Sequence, residues 1–194
     1  MPLITDSPPA GTEKVLNDVV SELVGHGGVA MGLRAKAAVS APVRVHNLGA
    51  DAIAAGKGLD AAQATGWLST LTSDGQVRGT IELVPRRQTR RTGGAAEGLG
   101  FGGFTSGPLQ RSLANTIEAA EREAGRSSVR VAVLRVPALY LLAVWLHGDE
   151  GDQLIPVPPC PPSLKPGERY PAERAFAALM EAARSVSKTD DARN

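Results

Sequence analysis

Residues 67–84 read WLSTLTSDGQVRGTIELV, and the Ser73-Asp74-Gly75 punctuation in their middle divides two runs of β-type residues, which makes the segment a hairpin. Its register decides what forms a core. A two-residue Asp-Gly loop pairs Ser73 with Gln76 and splits the large apolar side chains. Leu68, Val77, Ile81 and Leu83 then share one face, while Trp67 and Leu71 fall on the face of Arg78 and Glu82. A three-residue Ser-Asp-Gly loop, with Gly75 as the left-handed residue of a bulge, pairs Thr72 with Gln76, Leu71 with Val77 and Trp67 with Ile81. Every large apolar residue except Leu68 then lies on one face, and burial of one face is what fixes strand pairing. The second register is the one expected, with Trp67 in the core.

On the N-terminal side, residues 12–24 carry Val15, Leu16, Val19, Val20 and Leu23 at three- and four-residue spacing, opposite Glu13, Lys14, Asp18 and Glu22. That is the pattern of an amphipathic helix, stopped by Gly25 and the following Gly27-Gly28. Residues 43–47 alternate as a short strand and 51–55 form a helical turn. Residues 57–65 are ambiguous because Gly56 and Gly58 interrupt them. On the C-terminal side, Ser106 as N-cap and Pro108 in the first turn announce a helix. It carries Leu109, Leu113, Ile117, Ala120 and Ala124 on one face and ends at Gly125.

Residues 129–136 alternate, with Val129, Val131 and Val133 on one side, until Arg135 breaks the parity and Pro137 removes a ladder donor. Residues 139–146 are apolar at both parities, which marks a central strand covered on two faces. Residues 149–152 turn the chain and 153–157 return antiparallel. Prolines through 156–166 forbid regular structure there and favour an extended path. A last helix over 171–185 packs through Phe176, Leu179, Met180 and Ala183. The class is α+β: a mainly antiparallel, curved sheet of about five strands with three main helices packed on it.

At 194 residues, 42% hydrophobic and 21% charged, the chain has the size and balance of one domain with a substantial core. The expected organisation is a flexible N-terminus over 1–11, one α+β domain over 12–187 and a frayed tail over 188–194. The formal charge is +1, from 21 Lys and Arg against 20 Asp and Glu, so protein-wide attraction to nucleic acid or acidic membranes is excluded and any such attraction is local. Cys160 is the single cysteine, which rules out an intramolecular disulfide and a cysteine-built zinc site. The N-terminal residues lack the positive and apolar regions of a secretory signal, and a reducing cytoplasm is the expected compartment. Abundant Ala and Gly beside a preference for Arg over Lys suggest a GC-rich bacterial gene. The longest apolar run, 136–146, has eleven residues where a membrane helix needs about 20.

Residues 85–107, PRRQTRRTGGAAEGLGFGGFTSG, are the one stretch whose composition a packed core does not explain. They are expected to form a long irregular loop, mobile until a partner orders it. Arg86, Arg87, Arg90 and Arg91 supply four guanidinium groups within six residues, a pattern able to neutralise phosphates of nucleic acid. No aromatic residue interleaves them. Phe101 and Phe104 follow later and, with the arginines, are the candidate partner-binding residues. Gly98-Leu99-Gly100-Phe101-Gly102-Gly103 matches the G-x-G-x-x-G pattern, but that motif holds a pyrophosphate only directly between a strand and a helix. No cofactor is expected from it.

Asp149, Glu150 and Asp152 lack the spacing of a calcium loop and read as a polar turn, so no metal is expected either. A nucleophilic role for Cys160 needs an adjacent imidazole base, with His46 and His147 the available candidates. No Ser-His-Asp constellation or nucleophile elbow is present. The leading functional expectation is a non-enzymatic accessory protein, adaptor or scaffold that acts through protein contacts. A nucleic-acid-associated protein using the arginine loop comes second, and an enzyme assembled from dispersed residues third.

Overall fold

The computed structural model describes residues 7–27, 37–86, 98–124, 129–149 and 151–191. In chain order the elements are α1 (Thr12–Gly27), β1 (Ala38–Val39), β2 (Val43–Asn47), α2 (Ala50–Ala54), β3 (Gln63–Ser73), β4 (Gln76–Pro85) and β5 (Leu99–Thr105). After these come α3 (Pro108–Ala124), β6 (Arg130–Val136), β7 (Leu141–Gly148), β8 (Gly151–Pro156), β9 (Tyr170–Pro171) and α4 (Ala172–Asp191), with short 3-10 turns at Leu59–Ala61 and Pro137–Leu139. Among the described residues the nine strands have the order β5-β4-β3-β2-β6-β7-β8-β9, and β1 pairs β3 beside that path. The class is α+β as expected, with nine strands in place of about five and four helices in place of three. Six of the nine coincide with strand segments read from the sequence, and the three that do not are β1, β5 and β9. Two-residue strands such as β1 and β9 carry no alternation to read, and three of the seven residues of β5 are glycine.

Contacts divide the chain into two compact units, one from the described residues of 45–64 and 115–194, the other from those of 5–44 and 65–114.

In the second unit, Asp74 and Gly75 both take positive φ, 53° and 70°, as the primed two-residue hairpin turn requires. Ser73 therefore pairs with Gln76 and Thr72 with Val77, so the expected three-residue loop is corrected. The next pair is Leu71 with Gly79, which leaves Arg78 as the extra residue of a β-bulge. That one residue reverses the parity. Ser69 now pairs with Ile81 and Trp67 with Leu83, and the odd-numbered apolar residues gather on one face after all. The chain keeps the favoured Asp-Gly turn and restores the core face with a bulge.

Trp67, Leu71, Ile81 and Leu83 are buried together with Leu99 and with Leu16 and Val19 of α1, so the expected core role of Trp67 holds. Leu68 is buried as well, on the other face and opposite Glu82. The Arg44 guanidinium lies 4.7 Å from the centre of the Trp67 ring, a cation–π contact. Helix α1 passes through Gly25 and runs to Gly27, the second of the glycines expected to stop it. Its first turn is tied down by Thr12, whose hydroxyl donates to Pro9 O at 2.6 Å.

In the first unit the core joins Leu134 and Val136 of β6, Ala143 and Trp145 of β7 and Leu154 of β8 to Phe176, Leu179 and Ala183 of α4. Three of the four residues expected to pack from this last helix do so, and Met180 is half-buried. Strand β6 is buried on both faces, since Ala132, Leu134 and Val136 are as enclosed as Val133. The expected one-sided alternation is corrected there. The strand ends where Arg135 and Pro137 announce, and Leu139, expected in the following strand, belongs to the 3-10 turn that Pro137 opens.

Candidate functional site

The glycine-rich half of the expected loop is strand β5. It pairs antiparallel with β4, Thr80 opposite Thr105, Ile81 opposite Phe104 and Leu83 opposite Phe101. Gly102 is the extra residue of a second bulge, between the Glu82–Gly103 and Leu83–Phe101 pairs. The glycines have packing reasons. A Cβ on Gly102 would come within 2.9 Å of Val84 Cγ1 and 3.1 Å of Glu82 O, and one on Gly79 of β4 would lie 2.4 Å from Thr105 O. Phe104 covers Gly79: its ring carbons would be 2.7 Å from a Cβ there. An aromatic side chain laid over a strand glycine replaces the packing that the glycine lacks. The same residues cannot form the strand-to-helix turn of a dinucleotide site, because 99–105 is extended throughout.

The candidate partner-binding residues separate accordingly. Phe104 is partly buried against the core of its unit. Phe101 is 51% exposed, one of two large apolar side chains so open among the described residues. Arg86 is exposed, and its N–H donates to Gly98 O at 3.0 Å. Arg87, Arg90 and Arg91 lie outside the described residues, as does the expected mobility of 87–97.

Strand β5 occupies one end of the strand order, so one of its edges has no neighbour among the described strands. An edge strand presents a row of N–H and C=O groups to any extended chain. Natural proteins guard such edges with lysine, proline, inward charges or bulges. Leu99–Thr105 contains no charged residue and no proline, and the guard that the strand itself carries is the bulge at Gly102. Sequence reasoning missed the strand because glycine carries no alternation. The signal that could have found it is Phe101 and Phe104, aromatic residues spaced through a run too short for a helix.

The residues considered for catalysis are placed differently. His147 Nδ1 and Asp152 Oδ1 are 2.5 Å apart as a cross-strand pair of β7 and β8, and Trp145 Nε1 donates to the same oxygen at 2.9 Å. His46 meets the Trp145 ring edge-on, with centroids 5.0 Å apart. Asp152 thus completes a row of rings, satisfying a buried indole N–H that would otherwise be costly. Among the described residues no bond joins Cys160 to either histidine. Its thiol donates to Leu164 O at 3.3 Å, and burial pushes its pKa up, away from the thiolate a nucleophile needs. No group of three or more His, Cys, Asp or Glu side chains able to hold a metal occurs among the described residues. Tyr140, 86% exposed, adopts a left-handed φ of 52° at the end of the Pro137–Leu139 turn. No helix among the described residues is long and apolar enough to cross a membrane.

Comparison with protein-family models, with curated protein sequences and with solved structures finds no match to this chain.

Proposed function

We propose that the protein is a non-enzymatic accessory component of a larger assembly and that it holds an extended segment of a partner protein along the outer edge of β5. The observation that carries this reading is an edge strand with neither charge nor proline and with Phe101 exposed at its middle. In strand addition the backbone groups of the edge supply affinity, and side-chain contacts at alternate positions supply selectivity. The glycines at 100, 102 and 103 suit this use, since a bare edge lets a second backbone approach. The bulge at Gly102 interrupts the row, so a docked strand is short and Phe101 is its anchor.

The test is a purification from the native host with the full chain as bait, beside a Phe101→Lys variant, followed by hydrogen exchange on the recovered complex. A lysine at this exposed position should change stability by no more than about 0.5 kcal/mol. The expected result is loss of the partner from the variant, and slowed exchange of the 99–105 amides in the wild-type complex. A partner that Phe101→Lys retains, with no slowing in β5, overturns the reading.

A further inference from the structure

In the second unit, Gln76, Arg78, Phe104, Ser106, Gly107 and Arg111 line a cavity of about 670 Å³, with Val77 beside them. We propose that this cavity binds a small phosphate monoester, the phosphate held by Arg78 and Arg111 and the organic group lying against Phe104 and Val77. The inference is independent of the edge-strand reading and concerns a different part of the same hairpin. Arg78 precedes Pro85, the last residue of β4, by seven positions, which puts it roughly 26 Å along the chain from Arg86.

Four observations converge on an anion. The first is the lining itself: two guanidinium groups and no carboxylate. Neither Arg78 nor Arg111 forms an ion pair among the described residues, whereas Arg122 on the same helix is set against Glu118. The second is the bulge. Arg78 is the residue that the β3–β4 register leaves over, and a bulge re-aims the side chain it carries. The third is that Arg78 Nε is buried with no hydrogen-bond partner among the described residues, an orphan donor on a cation. A buried donor left so is costly unless an acceptor joins it.

The fourth is the start of α3. Ser106, expected as its N-cap, stands one residue short of that position: Gly107, with φ at 132°, directly precedes Pro108, and its carbonyl accepts from the Arg111 N–H at 3.2 Å. The first turn contains no acidic residue. With no acidic residue to offset it, the positive end of the helix dipole borders the cavity that Arg78 and Arg111 line.

The volume argues for more than a bare anion. Small-molecule sites commonly measure about 300–1,000 Å³, and this one has room for an organic group beside a phosphate. Phe104 and Val77 give that group an apolar wall, while Gln76 and Ser106 offer directional hydrogen bonds. Two guanidinium forks suit the tetrahedral, dianionic oxygens of a monoester, which accept paired N–H bonds.

The experiment titrates the full chain with inorganic phosphate and with phenyl phosphate, each against sodium chloride at matched ionic strength, and follows backbone amides by NMR. The expected result is saturable shifts confined to 76–78 and 104–111, with phenyl phosphate binding more tightly than inorganic phosphate. Arg111→Gln, at an exposed position that leaves the fold intact, should weaken both by at least tenfold. Arg111→Lys should recover part of the affinity. Arg78→Gln is read only if its spectrum shows a folded chain. Shifts that chloride reproduces, or affinity unchanged in folded Arg111→Gln, overturn the proposal. Equal affinity for the two phosphates removes the role given to Phe104 and Val77.

Discussion

At the scale of the residue, glycines that look alike in the sequence do different things. Gly79 and Gly103 sit on neighbouring strands of one hairpin. A Cβ on Gly79 would meet Thr105 O at 2.4 Å and the Phe104 ring at 2.7 Å, while one on Gly103 would meet nothing within 4 Å. The carbonyl at Gly79 belongs to a paired strand and cannot swing away as a side chain end can. Gly79→Ala is expected to destabilise by roughly 1–3 kcal/mol, the range for forced overpacking. Gly103→Ala should be neutral or slightly stabilising, since alanine reduces the freedom of the unfolded chain. Denaturant midpoints of the two variants, at equal slope, check the contrast; equal losses would mean that glycine serves β5 only through backbone freedom. Trp67 was readable as a core residue from its parity alone. The close approach at Gly79 was not, because the residue that requires it, Phe104, lies 25 positions further on and pairs through an irregular register.

At the scale of the element, the two hairpins show what alternation reveals and what it hides. The parity of the β3–β4 core face follows from the apolar pattern, because a strand with one apolar face cannot bury the other. The turn does not follow from it. The Asp-Gly turn and the Arg78 bulge together give the same parity as a three-residue loop, and nothing in a period of two distinguishes them. The bulge is also why the cavity was hidden: in an unbroken ladder Arg78 reads as an ordinary solvent-facing residue. In the β7–β8 hairpin, three acidic residues near a turn read as a polar surface, yet Asp152 accepts from Trp145 Nε1 and contacts His147 Nδ1. Removing that carboxylate leaves a buried indole N–H without its acceptor. Asp152→Ala should therefore cost about 1–3 kcal/mol. Asp152→Asn, which keeps an acceptor oxygen, should cost less. Thermal melts with near-ultraviolet circular dichroism, which reports the Trp145 environment, measure both; an Asp152→Ala chain as stable as the parent would reduce the contact to a surface pair.

At the scale of the whole molecule, the α+β class is legible because long alternating runs and amphipathic helices dominate the sequence. The extent of the sheet is not, because β1 and β9 are two residues long and exist only through their neighbours. Electrostatics at this scale limit the alternative reading of Arg86, Arg87, Arg90 and Arg91. With a net charge of +1, the chain as a whole supplies almost no attraction to a polyanion, so any nucleic-acid binding must come from local contacts. Four arginines neutralise at most four phosphates. Because each contact contributes a slope of about −0.9 in log affinity against log salt on duplex DNA, the loop alone can produce no more than about −3.6. Changing all four to alanine should bring the slope close to zero and abolish binding at physiological ionic strength. Fluorescence anisotropy with a labelled duplex across a salt series reads both quantities. A slope well beyond that bound, or one that survives the fourfold substitution, would locate the binding surface elsewhere on the molecule. The arginines that line the cavity beside α3, Arg78 and Arg111, would then be the next cations to replace.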